Sequence, residues 1–71
     1  MKTKVRINFE KIFPHVEILE SRVYKRKKGK SIFFTLSERL TYEQLNKTLS
    51  IPQVTGYSER ENRLKLYLRN N

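Results

Sequence analysis

Apolar and polar residues alternate near the N-terminus of the chain. From Lys4 to Phe9 every second residue is apolar, and this period of two predicts a half-buried strand. Phe9, Ile12 and Phe13 have the spacing of one short helical turn, which Pro14 would end. The pattern therefore predicts a first strand followed by a single turn of helix or a bend.

Two further strands are predicted on either side of a basic turn. Residues 16–24 alternate imperfectly, and either a β-bulge near Leu19 and Glu20 or burial of both faces of the strand would account for the pattern. Residues 30–36 alternate regularly, with apolar residues at 32, 34 and 36 on one face. The order strand, basic turn, strand predicts a hairpin.

A helix is predicted over residues 41–50. Thr41 and Gln44 have the spacing of a capping box. In a capping box the side chain of each residue accepts a hydrogen bond from the backbone amide of the other residue. Leu45 and Leu49 lie one turn apart on one face, and Pro52 ends the pattern.

The C-terminal part of the chain predicts a second hairpin. Residues 53–59 and 63–69 are the predicted strands, with a turn at residues 60–62. In the last strand three leucines, at 64, 66 and 68, face inward. The outward residues are Arg63, Lys65, Tyr67 and Arg69.

This order of elements predicts an α+β fold in one domain over residues 1–71. A mainly antiparallel sheet of four to five strands would pack against one main helix, at about residues 41–50. If the turn before Pro14 is helical, the topology resembles a ferredoxin-like or ACT-like sandwich. If that turn is only a bend, the topology is OB-like.

The charge of the chain is the strongest indication of function. The sequence has 16 Lys and Arg against 7 acids, a formal charge of +9 and a pI near 10.2. Six of the nine residues from Arg22 to Lys30 are cationic, and none is acidic. Such a block repels itself, and it is stabilised by a polyanion that releases condensed counterions on binding. The expected partner is nucleic acid, DNA or RNA.

The residues expected to bind nucleic acid lie in the basic turn and on the outward faces of the first and last strands. Cations there would track phosphates, and an interleaved aromatic ring would stack on a base. These residues are Lys4, Arg6, Arg22, Tyr24, Lys25, Arg26, Lys27, Lys28, Lys30, Arg63, Lys65, Tyr67 and Arg69. Phe33 falls on the opposite face from Phe34, where it would serve as a stacking ring or cover a second apolar patch.

The sequence argues against catalysis and against a cofactor or metal. It has no cysteine and no aspartate, and its one histidine, His15, has no carboxylate placed to orient it. No apolar segment has the length of a signal sequence or of a membrane span. Together with the absence of cysteine, this predicts a cytoplasmic protein.

A second hypothesis is an ACT-like interaction module. Such a module would dock on an acidic protein or form a homodimer through an open sheet edge, because a small core gains stability from pairing.

Overall fold

The structure is a computed structural model that describes residues 3–27 and 29–69. In the described residues, two helices and four strands follow one another in the order α-β-β-α-β-β. The elements are α1 (Lys4–Ile12), β1 (Ile18–Arg26), β2 (Gly29–Leu36), α2 (Tyr42–Thr48), β3 (Val54–Arg60) and β4 (Arg63–Leu68).

The segment predicted as a first strand is helix α1, so that prediction is wrong. Val5 and Phe9, one helical turn apart, are both buried, whereas Ile7 between them is 41% exposed. Thr3 caps the helix by accepting a hydrogen bond from the backbone amide of Arg6 (3.1 Å). The helical spacing continues to Phe13, which is also buried. Tertiary packing of this stripe outweighs a local alternation that is only three apolar residues long.

The four strands form one sheet in the order β1-β2-β4-β3, and every neighbouring pair is antiparallel. β4 therefore lies between β2 and β3, although it is the last strand in sequence. β1 and β3 form the two edges. The α+β class with an antiparallel sheet is confirmed.

The hairpin β1–β2 contains the predicted bulge. Register shifts between Ile18 and Glu20, so Leu19 is the extra residue, and it is 57% exposed. At the other end of the hairpin, Arg26 pairs with Gly29. Gly29 has a φ of +154°, a conformation that side chains rarely permit.

Helix α2 begins as its capping box predicts. The Thr41 hydroxyl accepts from the Gln44 amide (3.2 Å), and the Gln44 side chain accepts from the Thr41 amide (2.8 Å). The helix ends at Thr48, whose hydroxyl bonds the carbonyl of Leu45 (2.6 Å) inside the core. The predicted helix is thus present, but it begins one residue later and ends two residues earlier than expected.

Both helices pack on the same face of the sheet. The ring of Phe9 lies 5.0 Å from that of Phe34, and Leu45 of α2 joins the same cluster. Two polar residues are buried in the described part of the chain, Thr48 beside the core cluster and Ser31 on the other side of the sheet. The hydrophobic members of the core cluster are Val5, Phe9, Phe13, Val16, Ile32, Phe34, Leu36, Leu40, Leu45, Ile51, Val54, Leu64 and Leu66. The fold therefore has two layers, helices on one side and the sheet on the other.

This architecture differs from both expected topologies. The prediction of one main helix is corrected to two, because α1 replaces the first strand. The described strands form an open sheet with two edges and no closure into an OB-like barrel. A ferredoxin-like chain has the order β-α-β-β-α-β. Moving its first strand to the end gives the order found here.

The hairpin β3–β4 turns at Glu61 and Asn62, as predicted. Glu61 has a positive φ of 57°. Asn62 ties the turn to the neighbouring strand: its side-chain amide donates to the carbonyl of Leu36 (2.9 Å), and its own carbonyl accepts from the Leu36 amide (2.8 Å). These bonds fix the end of β2 beside β4.

Candidate nucleic-acid interface

One face of the sheet carries no helix, and we call it the open face. Antiparallel pairing places directly opposite residues on the same side, so the register defines this surface. Its side chains belong to Glu20, Arg22, Tyr24, Arg26, Ser31, Phe33, Thr35, Ser58, Arg60, Arg63, Lys65 and Tyr67. Gly56 and Gly29 complete it. The open face follows from the alternation of side chains along β2 and β4. In these strands the residues between the buried core positions point to the open face.

Three aromatic rings lie together at the centre of the open face. Tyr24 and Tyr67 belong to one row across the strands, with Ser31 between them, and they are 42% and 41% exposed. Phe33 lies in the next row, and its ring meets that of Tyr24 edge-on at 5.2 Å between centroids. We call these three rings the aromatic strip, and the side chains around them on the open face are polar or charged.

Lys65 connects two of these rings. Its ammonium nitrogen lies 5.2 Å from the centroid of Phe33 and 4.9 Å from that of Tyr67. Both distances are within the range of a cation–π contact. A positive charge is thereby held over the aromatic strip.

The open face is strongly cationic. It carries five cationic side chains, at 22, 26, 60, 63 and 65, and one acidic side chain, Glu20. The other six of the chain's seven acids lie in the helices, in the loops, or on the helix-facing side of the sheet. The acids are therefore segregated away from this surface, and its field attracts anions.

Glu20 is paired with its neighbour on the same strand. The Arg22 Nε donates to Glu20 Oε1 at 2.7 Å, and both side chains are more than half exposed. Hydrogen bonding to Tyr24 and then to Glu20 raises the pKa of Arg22 above its ordinary value. A raised pKa adds stability below the ordinary pKa and loses it only above the raised one. The contribution of this shift is therefore fully present at neutral pH and does not vary with pH there, and Arg22 stays charged.

Two cross-strand pairs bring like charges together. Arg60 lies directly opposite Arg63 on the open face, and Lys25 lies directly opposite Lys30 near the β1–β2 turn. Like charges in such positions destabilise a sheet. An anion bound between them would remove that cost.

Shallow depressions mark the open face. One of about 320 Å³ lies across the neighbouring strands β1, β2 and β4. It is lined by Glu20, Arg22, Tyr24, Phe33, Thr35 and Arg63. Another of about 280 Å³ lies toward the β1–β2 turn, where Arg26, Ser31, Lys65 and Tyr67 contribute. Both combine aromatic rings with arginine or lysine.

The structure brings six of the predicted site residues to the open face and separates the others. Those on the open face are Arg22, Tyr24, Arg26, Arg63, Lys65 and Tyr67. Lys25 and Lys30 project from the opposite side of the sheet, and both are exposed. Lys27 lies in the turn and Arg69 follows β4. Lys28 lies outside the described residues.

Lys4 and Arg6 lie in α1, in the helical layer and away from the open face. They were included in the predicted site because residues 4–9 were predicted as a strand with these cations on its outward face. The Arg6 Nε lies 3.7 Å from Glu10 Oε2 within the helix. The partners of β4 in the sheet are β2 and β3.

One aromatic and one cationic residue of the open face, Phe33 and Arg60, were not among the predicted site residues. The sequence left two interpretations of Phe33, a stacking ring or the cover of a second apolar patch. Strand alternation placed its side chain on the face opposite Phe34, which is the open face. Only the position of β4 beside β2 shows that Phe33 contacts Lys65. Arg60 was assigned to a turn, whereas it is the last residue of β3 and opposes Arg63. The pairing of β3 with β4 is the signal that would have placed it.

The described residues contain no group of three or more histidine, cysteine or acidic side chains arranged to hold a metal ion. No helix among them is long and apolar enough to cross a membrane. Comparisons of the chain with protein-family models, with curated proteins and with solved structures find no match. The proposals below therefore rest on the geometry of the open face.

Proposed function

We propose that this protein binds nucleic acid through the open face of its sheet. The observation that carries the proposal is the composition of that face, five cations and three rings with a single acid. Phosphates would pair with the arginines and with Lys65, and affinity would come mainly from counterion release. No catalytic step is proposed, and no cofactor is required. The site of action would be the cytoplasm.

The basic hairpin would extend this surface. Arg26 lies on the open face at the end of β1, and the exposed Lys25, Lys27 and Lys30 surround the same turn. A phosphate chain leaving the open face at this end would therefore remain in contact with cations. This arrangement also relieves the repulsion between Lys25 and Lys30.

Fluorescence anisotropy with labelled oligonucleotides tests the proposal. The test variant replaces Arg22, Arg26 and Arg63 by Gln, and the control replaces Lys4, Lys11 and Lys47 by Gln. Both remove three positive charges from exposed positions, the first from the open face and the second from the helical layer. Measurements at 50 and 200 mM salt give the salt dependence of Kd for each protein.

We expect the open-face variant to bind about tenfold or more weakly at 50 mM salt, with a salt slope smaller by about 2. The helical-layer variant should stay close to the parent protein. Equal losses in the two variants would mean that net charge alone acts. No binding of the parent protein at 50 mM salt to single-stranded or duplex DNA or RNA would overturn the proposal.

A second candidate function is self-association through β1. This edge strand is nine residues long and exposes Leu19 (57%) and Val23 (46%). A homodimer would form by pairing two such edges, although the cations of β1 oppose their approach. Light scattering after size exclusion, together with the variant Val23→Lys, tests this: a dimer that the variant converts to a monomer would support it.

A further inference from the structure

Building on the proposed function, we infer that the ligand of the open face is single-stranded nucleic acid, with bases stacked on Phe33 and Tyr67. Nucleic-acid binding alone would require only the cations. The aromatic strip is an additional feature that phosphate contact does not explain. It selects among the forms of nucleic acid.

The position of the rings carries this inference. Tyr24, Phe33 and Tyr67 lie at the middle of the open face, on three adjacent strands and between the arginines. Tyr24 and Tyr67 are about two-fifths exposed, although each ring is large and apolar. A duplex hides its base faces inside the stack, so rings on a broad sheet cannot reach them. A single strand presents its bases freely, and each base has a face that stacks on an aromatic side chain.

A depression beside Tyr67 leaves space for a base. Its volume is about 280 Å³, and Ser31, Lys65 and Tyr67 are among the residues that line it. On the other side of Tyr67, a Cβ at Gly56 would contact the tyrosine ring at 3.7 Å, so the ring packs against this glycine. The absence of a side chain at Gly56 thus lets the ring lie beside the depression.

Lys65 would change partners on binding. In the free protein its ammonium lies over Phe33 and Tyr67. Its flexible stem allows the charge to move from the rings to a phosphate. A stacked base contributes more than an exposed cation–π contact, so the exchange favours the bound strand. One residue would then hold the phosphate that links two stacked bases.

A single tryptophan reports directly on stacking, because the chain contains none. The variant Phe33→Trp keeps an aromatic ring on the open face, and Tyr42→Trp places the same reporter in the helical layer, where Tyr42 is 80% exposed. We expect single-stranded DNA or RNA to quench the fluorescence of the first variant and leave that of the second unchanged. Duplexes of equal length should quench neither.

Phe33→Leu removes the ring but retains an apolar side chain, and Tyr42→Leu is its matched control. We expect Phe33→Leu to weaken single-strand binding by about 5- to 100-fold and duplex binding by less than about twofold. Tyr42→Leu should alter neither. Thermal unfolding of each variant verifies that the protein is folded. The variant Phe33→Tyr keeps an aromatic ring at this position, and it should bind single strands as the parent protein does.

The outcomes distinguish this inference from the proposed function. Salt-dependent binding of duplex as tight as that of single strands, with no quenching of the Phe33→Trp reporter, would keep nucleic-acid binding and overturn the stacking. Equal losses of single-strand and duplex binding in Phe33→Leu would also overturn it. Absence of binding to every form would overturn the proposed function itself. Separate DNA and RNA oligonucleotides show which sugar the open face accepts.

Discussion

At the scale of the residue, Glu20 is the one side chain of the open face whose charge opposes a polyanion. It also holds Arg22 through a 2.7 Å ion pair. Because the pair is exposed, it contributes little to the free energy of unfolding. It does, however, make the Arg22 guanidinium less available to pair with a phosphate of the proposed ligand.

We therefore predict that Glu20→Gln tightens nucleic-acid binding by ~2- to 5-fold at low salt. The gain arises from loss of a repulsive charge and release of Arg22. Anisotropy titrations measure it, and Glu43→Gln in α2 is the control, since it makes the same charge change in the helical layer. Weaker binding of Glu20→Gln would mean that the carboxylate contacts the ligand as an acceptor.

At the scale of the element, α1 is where sequence and structure disagree. If residues 4–9 formed a strand, Ile7 and Phe9 would share its buried face. In the helix they point in different directions, and Phe9 is fully buried whereas Ile7 is 41% exposed.

Urea unfolding of two variants distinguishes these arrangements. We predict that Phe9→Ala lowers the free energy of unfolding by about 3–5 kcal/mol, because it leaves a cavity against Phe13 and Phe34. Ile7→Ala should cost less than about 1 kcal/mol, since its side chain stays half in water. Similar large losses in both variants would contradict the helix.

Much of the remaining structure was predictable because local signals decide it. The capping box at Thr41, the bulge near Leu19 and the alternation of β4 each depend on neighbouring residues, and each is confirmed. Sheet order is different. Nothing local specifies that β4 lies between β2 and β3, so the meeting of Phe33 with Lys65 could not be derived from the sequence. Six of the thirteen predicted site residues lie together on the open face because they belong to β1 and β4, which the sequence predicts as strands.

At the scale of the whole molecule, the charge of +9 acts against the folded state. Folding brings the cations together, and two like-charged pairs lie directly opposite one another in the sheet. Counterions at higher ionic strength screen this repulsion.

We predict that the unfolding midpoint Tm rises by ~3–8 °C between 0.01 and 0.15 M NaCl. The variant that replaces Arg22, Arg26 and Arg63 by Gln should show a smaller rise, because part of the repulsion is gone. Circular dichroism at a fixed wavelength follows the transition. A Tm that falls with salt would mean that attractive ion pairs dominate the charge balance.

The place of β4 in the sheet has a consequence for how the protein forms during synthesis. The hairpin β1–β2 is local and can assemble early. β3, however, pairs with β4 alone, and the side of β2 that faces away from β1 also pairs only with β4. Until that strand leaves the ribosome, the sheet is two separate pieces and the three aromatic rings are not assembled. Pairing of β2 with β4, in which Lys30 lies opposite Leu68, then completes the core and the open face in a single late step.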